Sequence, residues 1–270
     1  RSPRCSCALC TSVHDNVALY GVDGYAGHRG EALDRRGSDT VWTYIPSSAG
    51  DGSALWLSGD PPRMYATWDD GVRWERVILP LAAERVRATA LGPGSFLVGS
   101  DTWHRSVDGG LTWDVVAAPP GVCTELRARG DDVLAIVAGA LHRSRDGGST
   151  WEQVAASASH AAFAEGDALH VIADGQVVGA APLPFTAEQI LVGRAPGTFM
   201  VFGTSPGALP DEPAGARLAR TTDGGRTFSI APARKNVGHQ VALAHPSGRW
   251  FWVPVDAEFL QFSDDEGLTW

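Results

Sequence analysis

Aspartates recurring at a regular interval are the residues of this 270-residue chain best suited to do chemistry. Five of them stand in the pattern Ser/Thr-x-Asp-x-Gly-x-x-Trp/Phe: Thr67, Asp69, Gly71, Trp74; Ser106, Asp108, Gly110, Trp113; Ser144, Asp146, Gly148, Trp151; Thr221, Asp223, Gly225, Phe228; and Ser263, Asp265, Gly267, Trp270. Paired carboxylates could divide general acid from general base, the arrangement used to cleave glycosidic bonds. The residues around each Asp argue for a structural use instead. A carboxylate in a turn accepts the turn's own backbone N–H groups, and a hydroxyl two residues earlier adds a further local bond. Gly supplies the positive φ that a tight reversal needs. The aromatic residue opens the outgoing strand and can fold its ring beneath the turn, burying ~150–250 Å².

Thiols offer the second chemistry. Cys5, Cys7 and Cys10 are followed by His14, and Cys123 is the remaining cysteine of four. Such a run could give soft ligands to Zn²⁺ or Cu⁺, with His14 or Cys123 as a further donor. Disulfides are the competing expectation in an exported protein, and free thiols the third; four cysteines allow three pairings. No other cofactor is expected.

The elements that carry these residues follow from the interval. Successive box aspartates lie 39, 38, 77 and 42 residues apart, so the 77 is a double step with one copy worn away near Pro184. A period of about forty residues marks a radial repeat, in which no unit buries its apolar face alone. Short apolar runs separated by turns surround each box: Ser95–Ser100, Thr102–Ser106 and Trp113–Ala118 after Val86–Leu91, then Cys123–Arg129, Asp132–Ala138, Ala140–Ser144 and Trp151–Ala156. Leu169–Ala173 and Gln176–Gly179 continue the series, but Pro182, Leu183, Pro184 and Phe185 replace the next box. This is an all-β pattern with no convincing helix.

The signature resembles the Asp-box, or bacterial neuraminidase repeat, of sialidases, two-domain xyloglucan hydrolases, sortilin-type receptors and photosystem II assembly factors. The resemblance spans roughly residues 39 to 270. It implies a single β-propeller of four-stranded antiparallel blades, six by the count of box positions, or seven if the first 38 residues form a blade without a box. Residues 1–38 are then an N-terminal segment bearing the Cys cluster, with Asn16–Val22 as the strand that closes the ring beside the last box. Sialidase machinery is missing. Its aromatic-Arg-Ile-Pro motif would fall on Thr43, Tyr44, Ile45 and Pro46, which puts Tyr44 where the arginine belongs, and Tyr20, Tyr25, Tyr44 and Tyr65 leave no nucleophile in the last three-quarters of the chain. No catalytic residue is assigned, and an enzyme is the less expected outcome.

Composition narrows the partners. A formal charge of −9 with 22 basic residues, of which Lys235 is the single lysine, excludes the basic stripe of a nucleic-acid binder. No apolar run reaches the ~20 residues that span a bilayer. No signal peptide is evident; a start at Arg1, without Met, is expected of a processed or trimmed chain. Arg in place of Lys with abundant Ala and Gly suggests a bacterial source, and a secreted, periplasmic or cell-envelope monomer is expected. In a propeller the long loops carry ligands. The insertion Ser205–Gly215 with Asp211 and Glu212, the stretch Ala231–Gln240 with Arg234, Lys235 and His239, and Asp60 with Arg63 are the candidate binding residues, with Trp103 as a sugar-stacking candidate. The expected ligand is a protein or a glycan; a carbohydrate-active enzyme with other carboxylates, or a metal-handling protein, are the alternatives.

Overall fold

A computed structural model describes residues 43–48, 54–58, 63–67, 75–81, 86–164, 166–205, 215–235, 240–244, 250–254 and 261–269. Residues 1–38, including Asn16–Val22, Cys5, Cys7, Cys10 and His14, lie outside them, as do Asp60, Asp211, Glu212 and His239. All the regular elements among the described residues are strands, and they form six antiparallel sheets.

The first sheet holds β1 (Thr43–Ser48), β2 (Ala54–Ser58), β3 (Arg63–Thr67) and β4 (Glu75–Val77), each paired with the next. The second repeats this order with β5 (Arg87–Gly92), β6 (Ser95–Gly99), β7 (Trp103–Ser106) and β8 (Asp114–Val116), and the third with β9 (Cys123–Arg129), β10 (Asp132–Val137), β11 (Ala140–Ser144) and β12 (Glu152–Ala155). Three strands make the fourth sheet, β13 (His160–Phe163), β14 (Leu169–Ala173) and β15 (Gln176–Val177). The fifth has β16 (Thr186–Val192), β17 (Phe199–Ser205), β18 (Gly215–Thr221) and β19 (Ser229–Lys235), and the sixth β20 (Gln240–Ala244), β21 (Trp250–Pro254) and β22 (Gln261–Ser263). These are sheets of the propeller-blade type, and their strands fall close to the runs read from sequence.

The strands form two compact units, with the boundary crossing β11 and β12. Within the first unit, Met64, Ala66 and Val77 of the first sheet pack on Val86, Ala90, Phe96 and Val98 at the second. Leu91, Leu97 and Trp103 of the second sheet then pack on Cys123, Val133, Ala135 and Val137 of the third. The second strand of a sheet is therefore covered on both faces: Phe96, Leu97, Val98 and Gly99 of β6 are all buried, as are Val133 to Val137 of β10. A run of apolar residues without alternation is what such a doubly covered strand requires. The outermost strands β8 and β12 are mostly exposed. In the second unit Ala162, Ile172 and Val177 pack with Leu183, Phe185, Ile190, Phe199, Val201 and Ala219, joining the fourth sheet to the fifth.

Two sequence readings are corrected. Arg234 and Lys235 belong to β19 rather than to a loop, paired with Ala216 and Gly215 of β18. Pro232 falls where the register shifts between Ala216 and Leu218, a bulge on the outer strand that needs no N–H from it. Trp103 is a core residue at 1% exposure rather than a stacking platform. It stands opposite Gly99, and a Cβ on that glycine would lie 2.8 Å from the indole Cε2, so the ring lies across the bare backbone. Trp151 meets it edge-on, with ring centroids 5.1 Å apart.

Leu97, fully buried between the second and third sheets, gives a direct test. Leu97→Ala is expected to cost about 2–5 kcal/mol in urea unfolding, whereas Val154→Ala on the exposed β12 changes stability by no more than about 0.5 kcal/mol.

Candidate functional site

The four described boxes share one geometry. In the third sheet the Ser144 hydroxyl donates to Asp146 Oδ1 at 2.7 Å and accepts the Gly148 N–H at 2.8 Å. The Thr150 N–H donates to Asp146 Oδ1 at 2.8 Å, and its hydroxyl donates to Oδ2 at 2.6 Å. Asp108 holds the Thr112 N–H and hydroxyl at 2.9 and 2.6 Å, Asp223 those of Thr227 at 3.0 and 2.7 Å, and Asp265 those of Thr269 at 2.9 and 2.6 Å. Both oxygens of every described box carboxylate are thus engaged by the turn itself. The Thr was missed at the sequence level although its signal is plain, since a Thr precedes the aromatic residue in each of these four boxes and Arg73 in the first.

These bonds favour the charged form of the carboxylate. Donation from Thr112, Thr150 and Thr269 holds Asp108, Asp146 and Asp265 at about 2, against an ordinary 3.8, and donation from Thr227 pushes Asp223 lower still. A group with this shift is a poor proton donor or acceptor near neutrality, so the boxes are charged clasps and not acid–base catalysts.

Each box also grips the sheet before it. The Trp113 indole N–H donates to the Ile78 carbonyl, just past β4, and the Trp151 indole to that of Ala117, just past β8, both at 3.1 Å. The aromatic residue therefore reaches back rather than only tucking beneath its own turn. The second glycine of the turn lies where no side chain fits: a Cβ on Gly148 would meet Leu97 Cδ2 at 2.8 Å, one on Gly110 would meet Val77 Cγ1 at 2.2 Å, and one on Gly267 would meet Met200 Cε at 2.1 Å. From the preceding sheet an arginine reaches forward. Arg105 donates to the Asp146 carbonyl at 3.3 Å and Arg220 Nε to that of Glu266 at 2.8 Å. Arg143, in the same place before Ser144, instead forks onto both Asp132 oxygens of its own sheet at 2.8 and 2.6 Å; the repeat that follows it in sequence carries no box. There Gln176 takes over, accepting the Leu183 N–H at 2.8 Å and donating to the Leu183 and Phe185 carbonyls at 3.3 Å.

Other candidate groups are spread apart. Cys123 is buried at the start of β9 with a free thiol, its SH donating to the Glu125 carbonyl at 3.2 Å, and burial pushes it up to about 12. A thiol so raised is neither nucleophile nor ready metal ligand. His104 shares a 3.1 Å contact with Thr102 Oγ1, and half-burial pulls His142 down. Among the described residues no three His, Cys, Asp or Glu side chains gather as a metal site.

The loop candidates are better ordered by topology than by side chains. Box turns sit at the end of each sheet where its first and second strands also turn, as the Gly109 N–H to Gly94 carbonyl bond at 2.8 Å records. The second strands end and the third begin at the opposite end, β2 at Ser58 with β3 at Arg63 and β17 at Ser205 with β18 at Gly215; Asp60 and residues 206–214 fall between them in sequence. Arg63 opens β3 opposite Ser58, and Lys235 lies opposite Gly215, itself opposite Ser205, so Arg234 and Lys235 border the insertion that carries Asp211 and Glu212.

No family model and no curated protein matches this chain. Solved structures do. A structure of YCF48 bound to a D1 peptide superposes with a TM-score of 0.61 at 15% identity, over 83% of this chain and 80% of that one. YCF48 from Cyanidioschyzon merolae gives 0.56 at 17%, over 77% and 75%. An ancestral GH74 enzyme gives 0.60 at 13%, over 83% of this chain but 37% of its own. These likenesses establish a propeller-like fold related to that of YCF48, in agreement with the Asp-box reading of the sequence.

Two experiments test the clasps. Gly148→Ala is expected to cost at least about 2 kcal/mol because Leu97 must give way, and Gly139→Ala, equally left-handed but with open space at its Cβ, about 1 kcal/mol. Because the box aspartates titrate lower in the folded state, the stability they contribute is present above pH ~4 and lost as pH falls toward ~2. Melting temperature should drop steeply through that window, and Thr150→Val should lower the melting temperature above it and make the drop smaller.

Proposed function

We propose that this chain is a non-catalytic binding or assembly module that takes a protein segment or a glycan at the loop ends of its sheets, opposite the boxes. One observation carries the reading: the fold matches, over four-fifths of that protein's length, one whose structure holds a bound D1 peptide. The use of every described box carboxylate inside its own turn agrees with it. On this reading Asp60, Arg63, Asp211, Glu212, Arg234, Lys235 and His239 supply the polar contacts. Opposite charges on the insertion and on the end of β19 suit a polar ligand with both signs.

The same reading includes a closed ring of six blades. The sixth sheet has three described strands, and Asn16–Val22 is the segment proposed as its fourth. Residues 1–38 then form the closing segment and 39–270 the propeller, in an exported bacterial monomer. Cys5, Cys7, Cys10 and His14 have no assigned role in it. A carbohydrate-active enzyme is the second reading, favoured by the likeness to the GH74 enzyme, although the chain spans 37% of that protein.

Peptide and glycan arrays, run beside a panel of chromogenic glycosides, separate the two. Binding without turnover is expected. Arg234→Ala with Lys235→Ala should weaken the best array ligand by at least about tenfold at unchanged melting temperature. Turnover of any glycoside, or unaltered affinity in the double variant, would overturn the proposal or remove these residues from the site.

A further inference from the structure

Four Asp-Gly pairs lie among the described residues, and the fold treats one of them differently. Asp-Gly is the dipeptide most prone to rearrange, because the unhindered glycine amide can reach the side-chain carbonyl carbon. Three pairs, at Asp108, Asp146 and Asp223, are in boxes. There the would-be nucleophile is tied down: the Gly109 N–H donates to the Gly94 carbonyl at 2.8 Å, Gly147 to Asp131 at 2.8 Å and Gly224 to Gly197 at 3.0 Å. The would-be electrophile is tied as well, with both carboxylate oxygens held by the following Thr.

The fourth pair, Asp174–Gly175, forms the β14–β15 turn, with φ of 50° and 72°. Asp174 is exposed, and among the described residues neither its carboxylate nor the Gly175 N–H has a hydrogen-bonding or ionic partner. The short hairpin pairs Ile172↔Val177 and Ala173↔Gln176, with the Val178 N–H on the Val171 carbonyl at 2.9 Å, and the Ala187 N–H holds the Gly175 carbonyl at 2.8 Å; the two groups that react, the Asp174 carboxyl and the Gly175 N–H, are outside all of these bonds.

We infer that Asp174 is the site of spontaneous isoaspartate formation in the folded protein, which makes it a substrate for carboxyl methylation by an isoaspartate-directed methyltransferase. The Gly175 nitrogen attacks Asp174 Cγ and loses its proton to solvent base, and a carboxyl oxygen leaves as water, closing a succinimide. Water then adds back to either imide carbonyl. Opening at the α-carbonyl leaves the chain running through the β-carbon, with a free α-carboxylate and no net change in mass. The lengthened turn pulls on Gln176, whose amide holds Leu183 and Phe185, so the outer edge of this sheet loosens as the protein ages.

Ageing the full chain in mildly alkaline buffer, followed by peptide mapping and labelling with an isoaspartyl methyltransferase and its methyl donor, tests this. Conversion at Asp174 is expected to outpace Asp108, Asp146 and Asp223 by at least about tenfold, the rate factor set by having to break one charge-assisted bond first. In urea the four should react alike. Asp174→Glu should abolish that peptide's label, and Thr150→Val should raise conversion at Asp146. Equal conversion at the four sites in the folded chain, or no conversion at Asp174 while the urea control reacts, would overturn the assignment.

Discussion

The approach of each box turn to the sheet before it is the constraint on which the described architecture rests. Sheets that cover one another's faces must be held at a fixed spacing, and dispersion forces alone set that spacing loosely. Here it is fixed by contact between a backbone without a side chain and the apolar surface opposite, Gly148 on Leu97 or Gly267 on Met200. Directional bonds then set the angle: an indole N–H reaching back from Trp113 or Trp151, and a guanidinium reaching forward from Arg105 or Arg220. Among the described residues the box carboxylates bond within their own turns. They shape the turn so that glycine and indole arrive where the next surface needs them.

That division of labour bears on function. A carboxylate whose two oxygens are already held by three or four local donors has little to gain from a substrate. The opposite ends of the sheets are spared these duties. Lengthening a connection there adds little closure cost, so an insertion such as residues 206–214 between β17 and β18 is tolerated. A scaffold with structure at one end and variability at the other is well suited to acquiring different ligands.

Much of the fold was legible because its determinants are local. The turn residues repeat, and β9, β11 and β14 begin and end where the apolar runs do. What was not legible depends on neighbours distant in sequence. Trp103 looks like a loop-side aromatic until Gly99 and Trp151 are seen to enclose it. Arg234 and Lys235 read as loop residues, yet β18 pairs with them past a bulge. The Thr of each box could have been read from the chain, but its importance lies in a second carboxylate oxygen that pattern alone does not count. Asp60, Asp211, Glu212 and His239 lie outside the described residues, and turn chemistry does not encode what a ligand-binding residue would contact.

The forward-reaching arginines have one more implication. Arg105 and Arg220 each complete a turn belonging to the repeat that follows, whereas Arg143, followed by a repeat without such a turn, is neutralised at home by Asp132. The natural unit of inheritance is therefore offset from the visible repeat: it runs from one guanidinium to the next acidic turn, straddling two sheets. Recombination cut at the sheet boundaries would strand a cation on one side and an unclaimed carbonyl on the other, so viable chimaeras of this chain should have their crossovers within sheets, not between them.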